Sequence, residues 1–189
     1  EKVYDGTALT NSTVTAGGDG FAEGEGATYD VTGTITEVGE TANAFTYTLN
    51  EGTKADNYTI TKVEGTLTVT ELTDKVTVTI TEKSGSEKYD GKEKTVAGYD
   101  VKISNELYTV DDFTFSGEAT VKGTDAGSYN MELKPADFTN TNKNFKNVEF
   151  VIVDGTLEIS KRTVTLTSAD DEKVYDGTAL TNSTVTAGG

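Results

Sequence analysis

Alternation of apolar and hydroxyl side chains is the dominant pattern along this chain. Val, Leu and Ile alternate with Thr over three stretches, residues 65–70, 76–81 and 163–167. Because successive side chains of a β-strand point to opposite faces, a period of two predicts strands with an aliphatic core face and a Thr face in water. Further strand-like runs occupy residues 45–49, 129–133 and 148–153. The chain is therefore predicted to be all-β.

Turn residues separate these runs. Gly and Asn-Asp clusters lie between the alternating segments, and only the sequence Pro-Ala-Asp-Phe at 135–138 predicts a short helical turn, since Pro suits the first helical position. Thr accounts for 36 of the 189 residues, and this β-branched residue favours strands. An unstructured Thr-rich stalk is the alternative. The single Pro, with 7 Phe and 9 Tyr set inside alternating runs, argues against it.

An internal repeat organises the chain. Residues 1–18 return unchanged as residues 172–189, an offset of 171. A diverged copy lies between them, because Tyr-Asp-Gly occurs at 4–6, 89–91 and 175–177. Gly33 matches Gly117 in this alignment, and the Gly-Thr-Leu at 65–67 matches that at 155–157. The pattern indicates alternating units of about 85 residues.

The repeat predicts three segments. The second repeat, residues 73–160, and the segment 161–189 each open with a strand-like run before their Tyr-Asp-Gly, whereas the first repeat, residues 1–72, begins three residues before Tyr4 and lacks that opening strand. A sheet without it would leave an unpaired edge. We therefore expect residues 161–189 to be the opening of a next copy of the first repeat, or a strand donated to another copy.

Three motifs carry a family resemblance. The motifs are residues 2–9 (Lys-Val-Tyr-Asp-Gly-Thr-Ala-Leu), residues 125–129 (Asp-Ala-Gly-Ser-Tyr) and residues 57–60 (Asn-Tyr-Thr-Ile), the last followed by Gly-Thr-Leu-Thr-Val at 65–69. Together they resemble the YDG/MBG-type repeats of bacterial surface proteins. The resemblance implies tandem extracellular β-domains, β-grasp-like or immunoglobulin-like sandwiches, in large and often wall-anchored adhesins. It brings no catalytic motif.

Composition excludes several classes of function. Without Cys or His the chain has no thiolate or imidazole metal ligand, no Cys nucleophile and no Ser-His-Asp triad. The formal net charge is −16 and Arg162 is the single Arg, so phosphate backbones and anionic membranes are repelled. We expect no enzyme activity, no nucleic-acid partner, no membrane insertion and no cofactor.

The Tyr-Asp-Gly motifs are predicted to be structural turns, with Gly at positive φ and the Tyr ring packed beside the turn. The alternative is that Tyr serves as a stacking platform for a ligand. The predicted turn residues are Tyr4, Asp5, Gly6, Tyr89, Asp90, Gly91, Tyr175, Asp176 and Gly177.

Calcium is the one metal that this acidic chain could bind through oxygen atoms. The ion needs six to eight converging oxygens. The candidates are Asp170, Asp171 and Glu172, ahead of the pair Asp111-Asp112 and the Gly-rich loop 17–26. None follows the EF-hand spacing, so solvated acidic loops are the expected reading.

The leading functional hypothesis is a non-enzymatic structural repeat, a stiff spacer in an adhesin or fibre at a bacterial cell surface or cell wall. Its partners would be neighbouring repeats or identical subunits. A glycan- or mucin-binding module is the alternative, using exposed Asn-aromatic pairs at Asn57-Tyr58 and Asn144-Phe145, with Tyr58 as the proposed contact to a host glycan or protein. A third possibility is a subunit of a filament built by strand donation.

Overall fold

The computed structural model describes all residues, 1–189, and shows 17 strands with three short 3-10 helices. The strands are β1 (Lys2–Val3), β2 (Ala27–Val31), β3 (Gly39–Asn43), β4 (Phe45–Leu49), β5 (Gly65–Thr70), β6 (Val76–Glu82), β7 (Gly85–Lys88), β8 (Lys94–Ala97), β9 (Tyr99–Ile103), β10 (Phe113–Phe115), β11 (Thr120–Gly123), β12 (Gly127–Asn130), β13 (Phe138–Asn140), β14 (Val148–Val153), β15 (Thr156–Ser160), β16 (Thr165–Ser168) and β17 (Val185–Gly188). The 3-10 helices are Ala55–Asn57, Val110–Asp112 and Pro135–Asp137.

The all-β, sandwich-like fold expected from the sequence is confirmed. The predicted helical turn is the 3-10 helix Pro135–Asp137, with Pro in its first turn. The other two 3-10 helices carry no such Pro, and the sequence pattern did not predict them. No helix is long and apolar enough to cross a bilayer.

Contacts divide the chain into two compact units. The first comprises Glu1–Thr79, Val101–Ser116 and Lys134–Val151. The second comprises Ile80–Asp100, Gly117–Leu133 and Ile152–Gly189. The repeat boundaries at 72/73 and 160/161 stay predictions.

The first unit holds a three-stranded sheet of order β1-β5-β3 and two-stranded sheets β2-β4 and β10-β13. β1 runs parallel to β5, with Lys2 opposite Val69, and the Tyr4 amide donates to the Thr70 carbonyl at 2.9 Å. β3 is antiparallel to β5. The Thr-aliphatic alternation of β5 buries Leu67 and Val69, as the period of two predicts.

The second unit contains a sheet of order β12-β15-β7 with the same directions as β1-β5-β3. β7 runs parallel to β15, with Glu87 opposite Ile159, and β12 is antiparallel to β15. The Tyr89 amide donates to the Ser160 carbonyl at 2.9 Å, which repeats the bond made by Tyr4. The repeat seen in the sequence is therefore also a repeat of strand pairing.

The strand β6 lies in the middle of its sheet. Val76, Val78 and Ile80 on one face are fully buried. Glu82 ends the strand and is buried as well, and its carboxylate accepts the Leu133 amide at 2.7 Å and the Gly155 amide at 2.8 Å. Both amides therefore receive a partner without a strand ladder.

Two predicted strands end differently from the expectation. The run 129–133 is a strand only to Asn130, because Glu132 adopts φ +63° and the Leu133 amide bonds to Glu82 instead of a neighbouring strand. The run 163–167 forms β16 at Thr165–Ser168, but its apolar residues Val164 and Leu166 are exposed. The predicted core face of this run is thus wrong, because nothing packs against it.

The equivalent glycines Gly155 and Gly65 give a stability prediction. A Cβ at Gly155 would lie 2.4 Å from the Lys83 carbonyl oxygen, whereas a Cβ at Gly65 would meet no atom within 4 Å. Gly155→Ala is therefore expected to lower the free energy of unfolding by about 1–3 kcal/mol, measured by urea denaturation. Gly65→Ala is the matched control and should change it by less than about 0.5 kcal/mol. Equal effects of the two substitutions would contradict the assignment.

Candidate functional site

A loop of the second repeat, residues 142–147, pairs with the segment that follows β5. The Leu72 amide donates to the Asn144 carbonyl at 2.8 Å, and the Lys146 amide donates to the Leu72 carbonyl at 3.0 Å. Leu72 and Phe145 thus form an isolated parallel bridge. Both main-chain groups of Leu72 are held by the loop.

The rest of this short linker is anchored in the same way. Asn147 donates through its Nδ2 to the Thr73 carbonyl at 2.6 Å, and its own carbonyl accepts the Val76 amide at 2.8 Å. Only residues 71–75 separate β5 from β6. Main-chain bonds at Leu72, Thr73 and Val76 therefore hold the linker along most of its length.

The side chain of Asn144 is the centre of the contact. Asn144 is 2% exposed, its Oδ1 accepts the Val38 amide at 2.9 Å, and its Nδ2 donates to Glu37 Oε2. Burial first, and then the charge of Glu37, raises the pKa of Tyr4. We call Tyr4, Glu37, Val38, Leu72 and the loop 142–147 the junction.

Aromatic packing completes the junction. Phe145 is 2% exposed and meets two rings edge-on, Tyr4 at 5.6 Å and Tyr108 at 5.0 Å between centroids. Edge-to-face aromatic pairs contribute beyond the area they bury. Leu107 lies against the turn of the first repeat, since a Cβ at Gly6 would be 2.9 Å from its Cδ2. The first repeat therefore packs against two loops of the second.

Hydrogen bonds of polar side chains hold the loop 142–147 in place. The Tyr108 hydroxyl lies within hydrogen-bond distance of two acceptors, the Asp112 carbonyl at 3.0 Å and Asn140 Oδ1 at 2.9 Å. Asn142 donates through Nδ2 to Asp112 Oδ1 at 2.7 Å, and its Oδ1 accepts the Asn144 amide at 2.9 Å. Burial and, secondarily, the charge of Asp112 raise the pKa of Tyr108 to about 12. These bonds hold the conformation of the loop that contacts Leu72.

The three Tyr-Asp-Gly motifs adopt one turn. Gly6, Gly91 and Gly177 have φ of +76°, +78° and +79°, values that favour glycine. In each turn the Asp Oδ1 accepts the amide two residues on, at 2.9, 3.0 and 2.9 Å. Lys2 contacts Asp5 and Lys173 contacts Asp176, and these bonds together with those from Thr lower the pKa of each carboxyl to about 2.

The three motif tyrosines have different surroundings. Tyr4 is buried in the junction, Tyr89 is 36% exposed and Tyr175 is 92% exposed. The turn itself therefore does not bury the ring. A partner such as Phe145 does so.

The Asn-aromatic pairs expected to be exposed differ between the repeats. Asn144-Phe145 is buried, so this half of the expectation is wrong: the pair faces the first repeat. Asn57 is exposed and Tyr58 is half-buried against Phe21, with ring centroids 5.1 Å apart. The Tyr58 hydroxyl donates to Glu25 Oε2 at 2.5 Å and accepts the Ala22 amide at 3.0 Å. Tyr58 thus holds the loop that contains Ala22 and Glu25.

The acidic candidates for calcium lie in the exposed C-terminal segment. Asp171 accepts the neighbouring Glu172 amide at 2.9 Å, and the Asp170 carbonyl accepts Asn182 Nδ2 at 3.5 Å. No group of three or more acidic side chains is gathered in a way that could hold a metal ion. The cluster is a set of adjacent carboxyls in water.

The sequence interpretation missed Glu37, Asn144 and Tyr108 as junction residues. Glu37 and Asn144 are 107 residues apart in the chain. No periodic pattern links positions so far apart, and Asn beside an aromatic residue is equally typical of an exposed turn. The usable signal was the short linker, which leaves few residues to separate the repeats.

The raised pKa of Tyr108 predicts a loss of stability at alkaline pH. The folded chain holds this proton more tightly than the unfolded chain, so the contribution is complete below pH 10 and is lost as pH rises from 10 toward about 12. Tyr108→Phe should remove about 1–2 kcal/mol at neutral pH and make the alkaline loss shallower, as measured by urea denaturation across this range. Tyr175→Phe alters an exposed ring and should leave the stability at neutral pH and the alkaline loss of stability unchanged. An unaltered alkaline profile in Tyr108→Phe would contradict the assignment.

Comparison with known proteins gives a family match for the second repeat. Residues 76–161 match the family model described as the MBG domain. Searches of curated proteins and of solved structures return no match. The matched region begins with β6 and ends just past β15, the strands that open and close the second repeat. The resemblance expected from the Tyr-Asp-Gly and Gly-Thr-Leu motifs is thereby confirmed for residues 76–161, which match a domain type found in surface proteins.

Proposed function

We propose that this chain is a non-enzymatic structural repeat of a bacterial surface adhesin or extracellular fibre, in which it acts as a stiff spacer. The junction carries the proposal. It joins the first repeat to the second through a buried Asn, an aromatic cluster and a linker whose main chain is hydrogen-bonded to the loop 142–147.

Stiffness follows from the way in which the junction is satisfied. If the repeats hinged apart at residues 71–75, the Val38 amide would lose its partner Asn144, and Phe145 would lose its contact with Tyr4. Exchanging such a hydrogen bond for one with water costs about 0.5–1.5 kcal/mol. Bending is therefore opposed by several contacts at once, whereas a Gly-Ser linker would bend freely.

The surface charge supports the same function. The net charge of −16 makes separate molecules repel one another, which keeps a Thr-rich β-protein soluble. The ion pairs at the linker, Lys146 with Glu71 and Lys75 with Glu149, are exposed and contribute little to its rigidity. The surface-protein context of MBG domains supports a location outside the cell.

Antibodies against the chain should label intact cells before permeabilisation.

The substitution Asn144→Ala tests the joint. Amide ¹⁵N relaxation is expected to give one rotational diffusion tensor for residues 1–72 and 134–151 in the parent chain. In Asn144→Ala the internal motion of residues 37–38 and 142–147 should increase, because the Val38 amide and Glu37 lose their shared partner while the main-chain bonds of Leu72 remain. Stability should fall by about 1–3 kcal/mol.

Asn57→Ala is the matched control for this experiment. Asn57 stands before an aromatic residue in the first repeat as Asn144 does in the second, but its side chain is exposed. It should leave the tumbling unchanged. Independent tumbling already in the parent chain would reject the stiff spacer.

A further inference from the structure

Five Asp-Gly pairs occur along the chain, and one of them differs from the others in its surroundings. The pairs are residues 5–6, 19–20, 90–91, 154–155 and 176–177. An Asp carboxyl that precedes Gly can close onto the Gly amide nitrogen, because Gly has no side chain to obstruct the attack and its backbone rotates freely. Whether the ring closes in the folded chain depends on how each carboxyl and each amide is held.

The Asp carboxyls of the three Tyr-Asp-Gly turns are held by hydrogen bonds. Asp5 Oδ1 accepts Lys2 Nζ at 2.6 Å and the Thr7 amide at 2.9 Å. Asp176 has an equivalent Lys and Thr as partners, and Asp90 is held by two Lys residues. The bond from Lys, ahead of the others, lowers the pKa of each of the three carboxyls. The protonated carboxyl, which loses water most readily, is therefore scarcer at these positions.

The pair Asp154-Gly155 is protected at its amide. The Gly155 nitrogen donates to Glu82 Oε2 at 2.8 Å, and Gly155 is buried. A Cβ on Gly155 would lie 2.4 Å from the Lys83 carbonyl oxygen, so the main chain has no room to turn here. The nitrogen that would attack the Asp154 carboxyl is thus engaged elsewhere and held in place.

The pair Asp19-Gly20 has none of this protection. Both residues lie exposed in the Gly-rich loop 17–26, and no hydrogen bond or ion pair holds the Asp19 carboxyl. The Gly20 amide donates to the Gly17 carbonyl at 3.3 Å, which is longer than the usual distance of about 2.9–3.0 Å. A Cβ at Gly17, Gly18 or Gly20 would meet no atom within 4 Å, so nothing packs against this turn.

We propose that Asp19-Gly20 is a site of spontaneous isomerisation in the folded chain. The Gly20 amide nitrogen attacks the carboxyl carbon of Asp19, a C–N bond forms, and the carboxyl hydroxyl leaves with the amide proton as one water. The product is a cyclic succinimide. Water then adds to either carbonyl of the ring and opens it, which restores Asp or yields isoaspartate. Water is the only co-reactant, and no electrons are transferred.

The modification would alter a loop that Tyr58 holds. In isoaspartate the main chain runs through the side-chain carbon, so the backbone gains one carbon atom shortly before Phe21 and Ala22. The Phe21 ring packs against Tyr58 with centroids 5.1 Å apart, and the Ala22 amide donates to the Tyr58 hydroxyl at 3.0 Å. The longer backbone changes the path of the chain into both contacts. This covalent change accumulates with the age of the molecule and is independent of the spacer function.

Peptide mapping of the 189-residue chain after prolonged incubation at neutral pH tests the site, because isoaspartyl and aspartyl peptides have equal mass but separate on a column. In the folded chain Asp19 should convert at least about tenfold faster than each other Asp that precedes Gly, since breaking one or two hydrogen bonds before ring closure slows the reaction by about that factor. Conversion of Asp19 at the rate of the others would overturn the proposal.

The same chain unfolded in concentrated urea is the control for the effect of local sequence. All five pairs should convert at similar rates there, because no hydrogen bond of the fold remains. If Asp19 kept the same advantage in urea, the local sequence would be its cause, and the structural assignment would be overturned.

Two substitutions at the site sharpen the test. Asp19→Glu moves the carboxyl one carbon further from the amide, and it should abolish isomerisation at this position without changing the melting temperature. Asp19→Asn closes the same ring by losing ammonia, so its conversion is read directly from the intact mass of the folded chain. A variant that deamidates in urea but not when folded would show that the loop prevents ring closure, and it would contradict the proposal.

Lys94 allows the protection of a turn carboxyl to be removed. Its Nζ donates to Asp90 Oδ2 at 2.8 Å, and Lys94→Met deletes this bond. Conversion at Asp90 should rise about two- to fivefold, the factor expected for one exposed ion pair. It should stay slower than at Asp19, because the Lys92 amide still donates to Asp90 Oδ1 at 3.0 Å. An unchanged rate at Asp90 would contradict protection by hydrogen bonds.

Discussion

The core of the second repeat is organised around a strand that comes before its Tyr-Asp-Gly turn. In the second repeat this is β6, whose three apolar side chains are fully buried and whose main chain lies between two neighbouring strands. Its last residue, Glu82, gives partners to two amides from distant parts of the sequence. The corresponding segments of the first repeat, residues 14–17 and 59–63, form no strand.

Local alternation was enough to predict six of the 17 strands, namely β4, β5, β6, β12, β14 and β16, but not their packing. The pattern of β5 and β6 gave both the strand and its buried face, because each lies against a core. The same pattern at Val164 and Leu166 gave a strand without a buried face, since burial depends on what lies opposite. At Glu132 a left-handed residue ends a strand that the alternation would continue. Tertiary contacts decided these cases, and local sequence does not encode them.

The junction shows the same limit at the candidate site. The Tyr-Asp-Gly turn was readable, because Asp and Gly form it with bonds between near neighbours. The environment of its Tyr was not, since identical residues at Tyr4 and Tyr175 are buried in one place and exposed in the other. Asn144 offered no local sign of its role either. Its partners Glu37 and Val38 come from a repeat that precedes it by about a hundred residues.

The parallel pairing of β1 with β5, repeated by β7 with β15, has a mechanical consequence. In each pair the early and late strands of a repeat lie side by side and point the same way. A pull on β1 and β5 in opposite directions would slide these two strands past each other along their length. The hydrogen bonds between parallel strands are evenly spaced and run from one strand to the other, so this sliding loads all of them together. This geometry resists the separation of β1 from β5 by loading their hydrogen bonds in shear.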